Sequence, residues 1–352
     1  MIIIIGAGLS GLLTAYRLQQ AGISYKILEA RDRVGGRIHT VQGARDTPVE
    51  LGATWFGQQH KHLKNLLEEF KIAGFEQFMK GTVYFQPFST APAQSIEIPG
   101  QAPSYRISGG SSQLIHALYA QLDPEAIILN EAVKSIQFKN EEIRIQANSL
   151  YKAQAVVLAL PPKLWATRID FQPELPENLM QIASQTQTWM EDSVKVALIY
   201  KNPFWEAGKL SGTLFSNTGP LTEFYDHCDH AREKYALCGF MNTSFKVLDA
   251  EERKARVLQQ LELVYGAQAL DFLEYRECIW SAEAYTYEPS ATPLFPHQNN
   301  GNAVFRDEYS SQRLFLAGSE TSADFPGYMD GAVCAANRVS EELIAALNSQ
   351  AN

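Results

Sequence analysis

The chain has 352 residues, of which 45% are hydrophobic and 20% charged. At about 150 residues per domain this indicates two to three packed units and excludes general disorder. Acidic residues outnumber basic ones, 39 to 30, and the net charge of −9 argues against a nucleic-acid backbone or an anionic membrane as the main partner. The four cysteines, Cys228, Cys238, Cys278 and Cys334, include no C-x-x-C pair, so neither a disulfide scaffold nor a cysteine-rich zinc site is expected. Neither a targeting segment nor an apolar span of about 20 residues is read, and a soluble, cytoplasmic protein is the expectation.

Met1–Ile5 is a continuous apolar run, as expected of a strand buried on both faces of a parallel sheet. Gly6-Ala7-Gly8-Leu9-Ser10-Gly11 follows, then a helical pattern to Gln20, then a second apolar strand at Tyr25–Leu28. A G-x-G-x-x-G motif between a buried strand and a helix has the context of a dinucleotide site. Gly6 permits the tight turn, Gly8 lets the backbone approach a pyrophosphate, and Gly11 lets helix and strand pack closely. The helix N-terminus then faces the anion. Glu29 ends the second strand, where its carboxylate suits ribose hydroxyls and repels a 2′-phosphate.

Leu63, Leu66, Leu67 and Phe70 share one helical face. The interval 81–104 is rich in Pro, Ser and Gln and reads as connection and hairpin, too short for a helical layer. Ser111 and Ser112 are candidate caps for a helix carrying Leu114, Ile115, Leu118 and Leu122. Strands are expected at Ala132–Phe138, Glu142–Ala147 and Ala155–Leu160, the last stopped by Pro161-Pro162. Further on, Ser193–Tyr200, Gly212–Phe215, Thr222–Tyr225 and Tyr235–Met241 should form a sheet. A helix capped by Asp249 and Glu252 and closed by Gly266 should back it. Leu314–Ala317 is a short strand, and a final helix over 331–347 carries Ala332, Ala336, Val339, Leu343 and Leu347 on one face. The sequence His227-Cys228-Asp229-His230 reads as a turn, and no metal is expected.

The run Glu29-Ala30-Arg31-Asp32-Arg33-Val34-Gly35-Gly36-Arg37 resembles the E-x-R-x-R-x-G-G-R extension of FAD-dependent amine oxidases. Further segments match in order: Glu50-Leu51-Gly52-Ala53-Thr54-Trp55, Val156–Pro162, Ser193-Val194-Lys195 and Tyr200–Trp205, Ala317-Gly318-Ser319-Glu320-Thr321, and Phe325–Ala332. From Met1 to about Leu343 the chain resembles the flavin-containing amine oxidases of the monoamine oxidase type. The resemblance implies an α/β fold: a Rossmann-type, glutathione-reductase-like FAD-binding domain with an inserted α+β substrate domain containing a mixed or antiparallel sheet. The expected boundaries are 1–76, 107–165 and 283–352 for the FAD-binding domain and 77–106 and 166–282 for the substrate domain.

The same resemblance implies flavin-dependent oxidation of a primary or secondary amine to an imine, with O2 reduced to H2O2. Lys195 matches the lysine that holds a water against flavin N5. Tyr328 matches one wall of an aromatic cage for the amine nitrogen, and Trp280 a tryptophan beside the flavin. Arg31 and Arg37 suit the pyrophosphate, with Ala30, Gly35 and Gly36 keeping their loop close to it. Gly52, Ala53, Thr54, Trp55, Val133, Leu160, Gly318 and Ser319 complete the cofactor set. Glu320 fits a ribityl contact, and the backbone N–H groups of Met329 and Ala332 fit the reduced flavin.

Two positions depart from the relatives. The cysteine that tethers flavin and the second cage tyrosine after it are replaced by Pro289 and Ser290, counting from Trp280. FAD should therefore be non-covalent, and Tyr285, Tyr287 and Trp55 are candidates for the missing wall. The expected partners are a small-molecule amine and O2; a homo-oligomer is allowed, while nucleic acid and membrane are not. The alternatives are a renalase-like or C–C dehydrogenating FAD oxidoreductase, or a flavin-bound protein without amine oxidase activity.

Overall fold

The computed structural model describes residues 1–351 except 90, 98, 99, 101, 141, 291 and 312. Strand β1 (Ile2–Ile5), helix α1 (Leu9–Gln20) and strand β2 (Tyr25–Leu28) open the fold as the sequence implies. β1 lies at the centre of a five-stranded parallel sheet in the order 127–128, 25–28, 2–5, 155–158, 314–316. Ile2 and Ile4 pack among α1 and the C-terminal helix Met329–Ala351, while Ile3 and Ile5 pack into a second cluster on the opposite face. Burial on both faces accounts for the unbroken apolar run.

That second cluster includes Ile136, Ile143 and Ile145 of a four-stranded sheet, together with Ile169, Phe171, Leu175, Leu179 and Ala183. Residues 169–183 therefore pack with the parallel sheet, although the sequence assigned 166–282 to the inserted unit. The inserted unit is a seven-stranded mixed sheet in the order 272–279, 194–200, 235–241, 221–226, 210–216, 82–86, 94–96. Its pairs are antiparallel except that between 210–216 and 82–86. Helix Ala250–Tyr265 covers one face through Val257, Leu261 and Tyr265. Its N-cap is Asp249, which accepts from the Glu252 N–H at 2.8 Å, and Gly266 closes it at φ 83°. Among the described residues of 71–110 there is no helix, only short strands.

All seven residues of strand Val194–Tyr200 are buried. Val194, Val196 and Leu198 face the helix-backed cluster. Ala197 and Ile199 face a smaller cluster with Val49 and Leu51 from the hairpin Thr40–Gly43 and Thr47–Glu50. This hairpin brings segment 51–55 alongside Lys195. The serine cap at 111–112 is not formed: Ser112 Oγ instead accepts from the Thr40 N–H at 3.0 Å, tying the helix start to the hairpin.

Candidate functional site

A cavity of about 400 Å³ runs between the two units. One end is built from the turn after β1. Gly6, Gly8, Leu9 and Ser10 line it, and α1 begins there with no side-chain cap, leaving its first N–H groups available to an anion. Gly11 does not line the cavity. A Cβ there would lie 2.0 Å from the Gly6 carbonyl oxygen, so its role is the close packing of helix on strand. Glu29 is buried at the same end; its carboxylate accepts from the Ala7 N–H at 2.7 Å and the Arg31 N–H at 2.9 Å. Ala30, Gly35, Gly36, Val133 and Leu160 also line this part.

Arg31 and Arg37 both reach the wall. Arg37 donates to Glu320 Oε1 at 2.6 Å and Oε2 at 3.0 Å, to Ser319 Oγ at 2.8 Å and to the Trp189 carbonyl at 3.2 Å. Glu320 is fully buried behind this arginine and does not line the cavity, because Arg37 and Ser319 occupy its carboxylate. Burial acts to raise its pKa, but the Arg37 charge and hydrogen bonds hold it below the usual carboxylate value. Glu320 thus contacts Arg37 and Ser319 rather than the cavity surface.

At the other end Lys195 is 1% exposed. Its Nζ donates to Thr54 Oγ1 at 2.9 Å and lies 4.5 Å from the ring centres of both Trp55 and Phe240. A lysine facing solvent is excluded. Burial pushes the Lys195 ammonium below its ordinary pKa, with nearby acidic groups, among them Cys238, Glu50 and Glu223, opposing the shift. Trp280 is buried beside it, with its indole N–H donating to the Leu51 carbonyl at 2.7 Å. Gly52, Ala53, Thr54, Trp55, Trp280 and Lys195 line one continuous surface.

Tyr328 enters from the loop before the C-terminal helix and lines the same cavity. Its ring neighbours are Trp189 at 5.6 Å, His297 at 5.8 Å and His60 at 5.6 Å. Trp189, which sequence reasoning missed, also lines the cavity and stacks on His297 at 3.9 Å. Gly327 (φ 86°) lies against it; a Cβ there would be 2.7 Å from Trp189 Cβ. Of the expected second walls, Tyr285 and Trp55 line the same cavity as Tyr328, Tyr285 by Arg31 and Trp55 by Lys195, while Tyr287 lies by Lys163. His60 is buried; its ring packs on Phe325 at 4.6 Å and burial lowers its pKa. Met329 and Ala332 line the wall, but the Ala332 N–H is committed to the Tyr328 carbonyl at 3.1 Å, leaving the Met329 N–H at the helix start.

The donor set suits FAD: a buried carboxylate beside the turn that opens α1, two guanidinium groups and glycine backbone on the wall, then an apolar, aromatic chamber with one buried ammonium. Among the described residues two groups of possible metal ligands occur outside this lining. In His62–Asp324–Cys334 all three members are exposed or half-buried, and in Glu206–Asp226–Cys228 Arg232 pairs with both carboxylates. No helix among the described residues is long and apolar enough to cross a membrane.

A family model described as flavin containing amine oxidoreductase matches residues 9–92 and 89–344. A probable flavin-containing monoamine oxidase A of Dictyostelium discoideum is 26% identical, with 97% of each chain covered. Cyclohexylamine oxidase from Brevibacterium oxydans superposes with a TM-score of 0.86 at 20% identity over 99% of each chain, and putrescine oxidase with 0.83 at 22% over 98% of each. These two superpositions establish the shared fold.

Proposed function

This chain belongs to the flavin-containing amine oxidoreductase family, and from that premise we propose that it oxidises a primary or secondary amine at a non-covalently held FAD, with O2 as acceptor. The supporting observation is a single cavity with a nucleotide-type glycine turn at one end and the buried Lys195, Trp280 and Tyr328 at the other. Bound FAD supplies the two-electron acceptor; the chain supplies binding, orientation and charge. Leu9 and Ser10 at the start of α1, with Arg31 and Arg37, offset the pyrophosphate charge, and Glu29 takes ribose hydroxyls. Lys195 keeps a positive charge in an aromatic, water-poor pocket, where a negative charge developing on oxygen is stabilised most.

Tyr328 and Trp189 flank the amine. Among the described lining residues the only carboxylates are Glu29 and Glu131. Both lie toward the nucleotide end, on or after β2 and the strand Ile127–Ile128. The amine end therefore suits one nitrogen on an apolar substituent rather than a diamine, whose second ammonium would find no counter-charge. We assign 1–76, 107–165 and 283–352 to the FAD-binding unit and 77–106 and 166–282 to the substrate unit, with 166–183 moved to the former. Mixing the purified yellow protein anaerobically with monoamines, diamines, amino acids and reduced nicotinamides tests the reading. Bleaching of the oxidised flavin spectrum by monoamines is expected, and bleaching by reduced nicotinamides alone would overturn it.

A further inference from the structure

We propose that residues 283–288 form a clasp retaining the cofactor and that Arg168 is its main latch, an inference that rests on the FAD reading above. The segment leaves the short helical turn Trp280–Ala282 and returns to the nucleotide unit. Tyr285 and Thr286 form part of the cavity wall, and Thr286 is buried.

Cations of the nucleotide unit converge on these six residues. Arg31 donates from Nε to Glu283 Oε2 at 3.3 Å and from a terminal nitrogen to Thr286 Oγ1 at 2.7 Å. Arg168, the last residue of helix Pro162–Arg168, spans three acceptors: Glu288 Oε2 at 2.5 Å, the Ala284 carbonyl at 2.5 Å and the Tyr287 carbonyl at 3.3 Å. Lys163, buried and paired with Glu191 at 2.9 Å, stands 5.7 Å from the centre of the Tyr287 ring. Arg31 and Arg168 line the same cavity as the segment they hold.

A planar guanidinium that satisfies one carboxylate and two carbonyls is a rigid fastening, which a lysine cannot reproduce. Lifting the segment breaks all three bonds together and opens the wall between Arg31 and Arg168. The Arg168 side chain is partly exposed, so its pairing adds little to global stability. Its effect falls on the rate at which the ligand leaves. The clasp occupies the stretch just before Pro289.

The test is FAD release from loaded protein after rapid gel filtration, followed by flavin fluorescence. Arg168→Met should release FAD about tenfold faster than the wild type, and Glu288→Gln, which weakens one of three acceptors, about threefold faster. Arg168→Lys is the second variant should Arg168→Met prove unstable; it should also release faster despite keeping the charge. A wild type that holds FAD, with Arg168→Lys and Glu288→Gln releasing it at the wild-type rate, overturns the clasp alone. A wild type that takes up no FAD overturns the cofactor reading and the clasp with it.

Discussion

Lys195 Nζ donates to Thr54 Oγ1 at 2.9 Å, joining a strand of the inserted sheet to the loop that follows the first hairpin. The contact crosses the cavity boundary and holds an ammonium between two aromatic faces, Trp55 and Phe240. Cation–π attraction and one hydroxyl replace the water that burial removes.

Lys195→Met should retain FAD and slow reoxidation by O2 about 10²-fold while slowing reduction by amine much less, since the charge acts where electron density moves to oxygen. Stopped-flow measurement separates the two half-reactions; equal effects on both would sink the assignment.

The lowered pKa of Lys195 sets the sign of a pH effect. The ammonium is present below that pKa and lost above it. Reoxidation should be fast at low pH and decline on the alkaline side before the ordinary lysine value of about 10.4 is reached. The Lys195→Met variant should show no such decline in its reoxidation profile.

The resemblance to the monoamine oxidases implies Pro289 at the position of their tethering cysteine, and the four cysteines lie elsewhere in the sequence. Acid precipitation should leave all flavin in the supernatant. Colour in the washed pellet would contradict non-covalent binding.

The Trp189 indole lies 5.6 Å from the Tyr328 ring, and its stacking on His297 keeps it in place. Trp189→Ala should raise KM for small apolar amines about tenfold, equivalent to ~1.4 kcal/mol, with a smaller change in kcat. Steady-state kinetics on a short amine series checks this; an unchanged KM would remove Trp189 from the amine site.

Gly11→Ala would drive a methyl group into the Gly6 carbonyl. The expected cost is roughly 1–3 kcal/mol, as for other overpacked sites, along with weakened flavin binding. A melting curve of the variant at wild-type temperature would show instead that the helix can shift to make room.

The nucleotide half was largely legible in the sequence, because the chemistry there is written in contiguous residues. The turn 6–11, Glu29 and the loop 30–37 each carry their own spacing signal. The amine half was less so. Nothing local reveals that Val194–Tyr200 is covered on both faces; that depends on a hairpin about 150 residues earlier, and without it Lys195 reads as a surface residue. Trp189 was missed for the same reason. It meets Tyr328 only through folding of the chain around 297, and its one sequence signal is a large aromatic in a polar stretch just ahead of the lysine strand. The pairing of Glu320 with Arg37 has no local sequence signal, because the two are 283 residues apart.

The order of the parallel sheet also bears on biosynthesis. β1 leaves the ribosome well before one of its neighbours, 155–158, and before the outer strand beside that, 314–316. At about 5–20 residues per second, roughly 15–60 s separate the synthesis of the first and last strands. Throughout that interval Ile2–Ile5 has no complete sheet to enter, and the pocket lacks Tyr328 and the start of the final helix. The nascent chain thus needs protection for the apolar run Ile2–Ile5, and the vitamin-derived ligand can be captured in full only after Tyr328 and the start of the final helix have emerged.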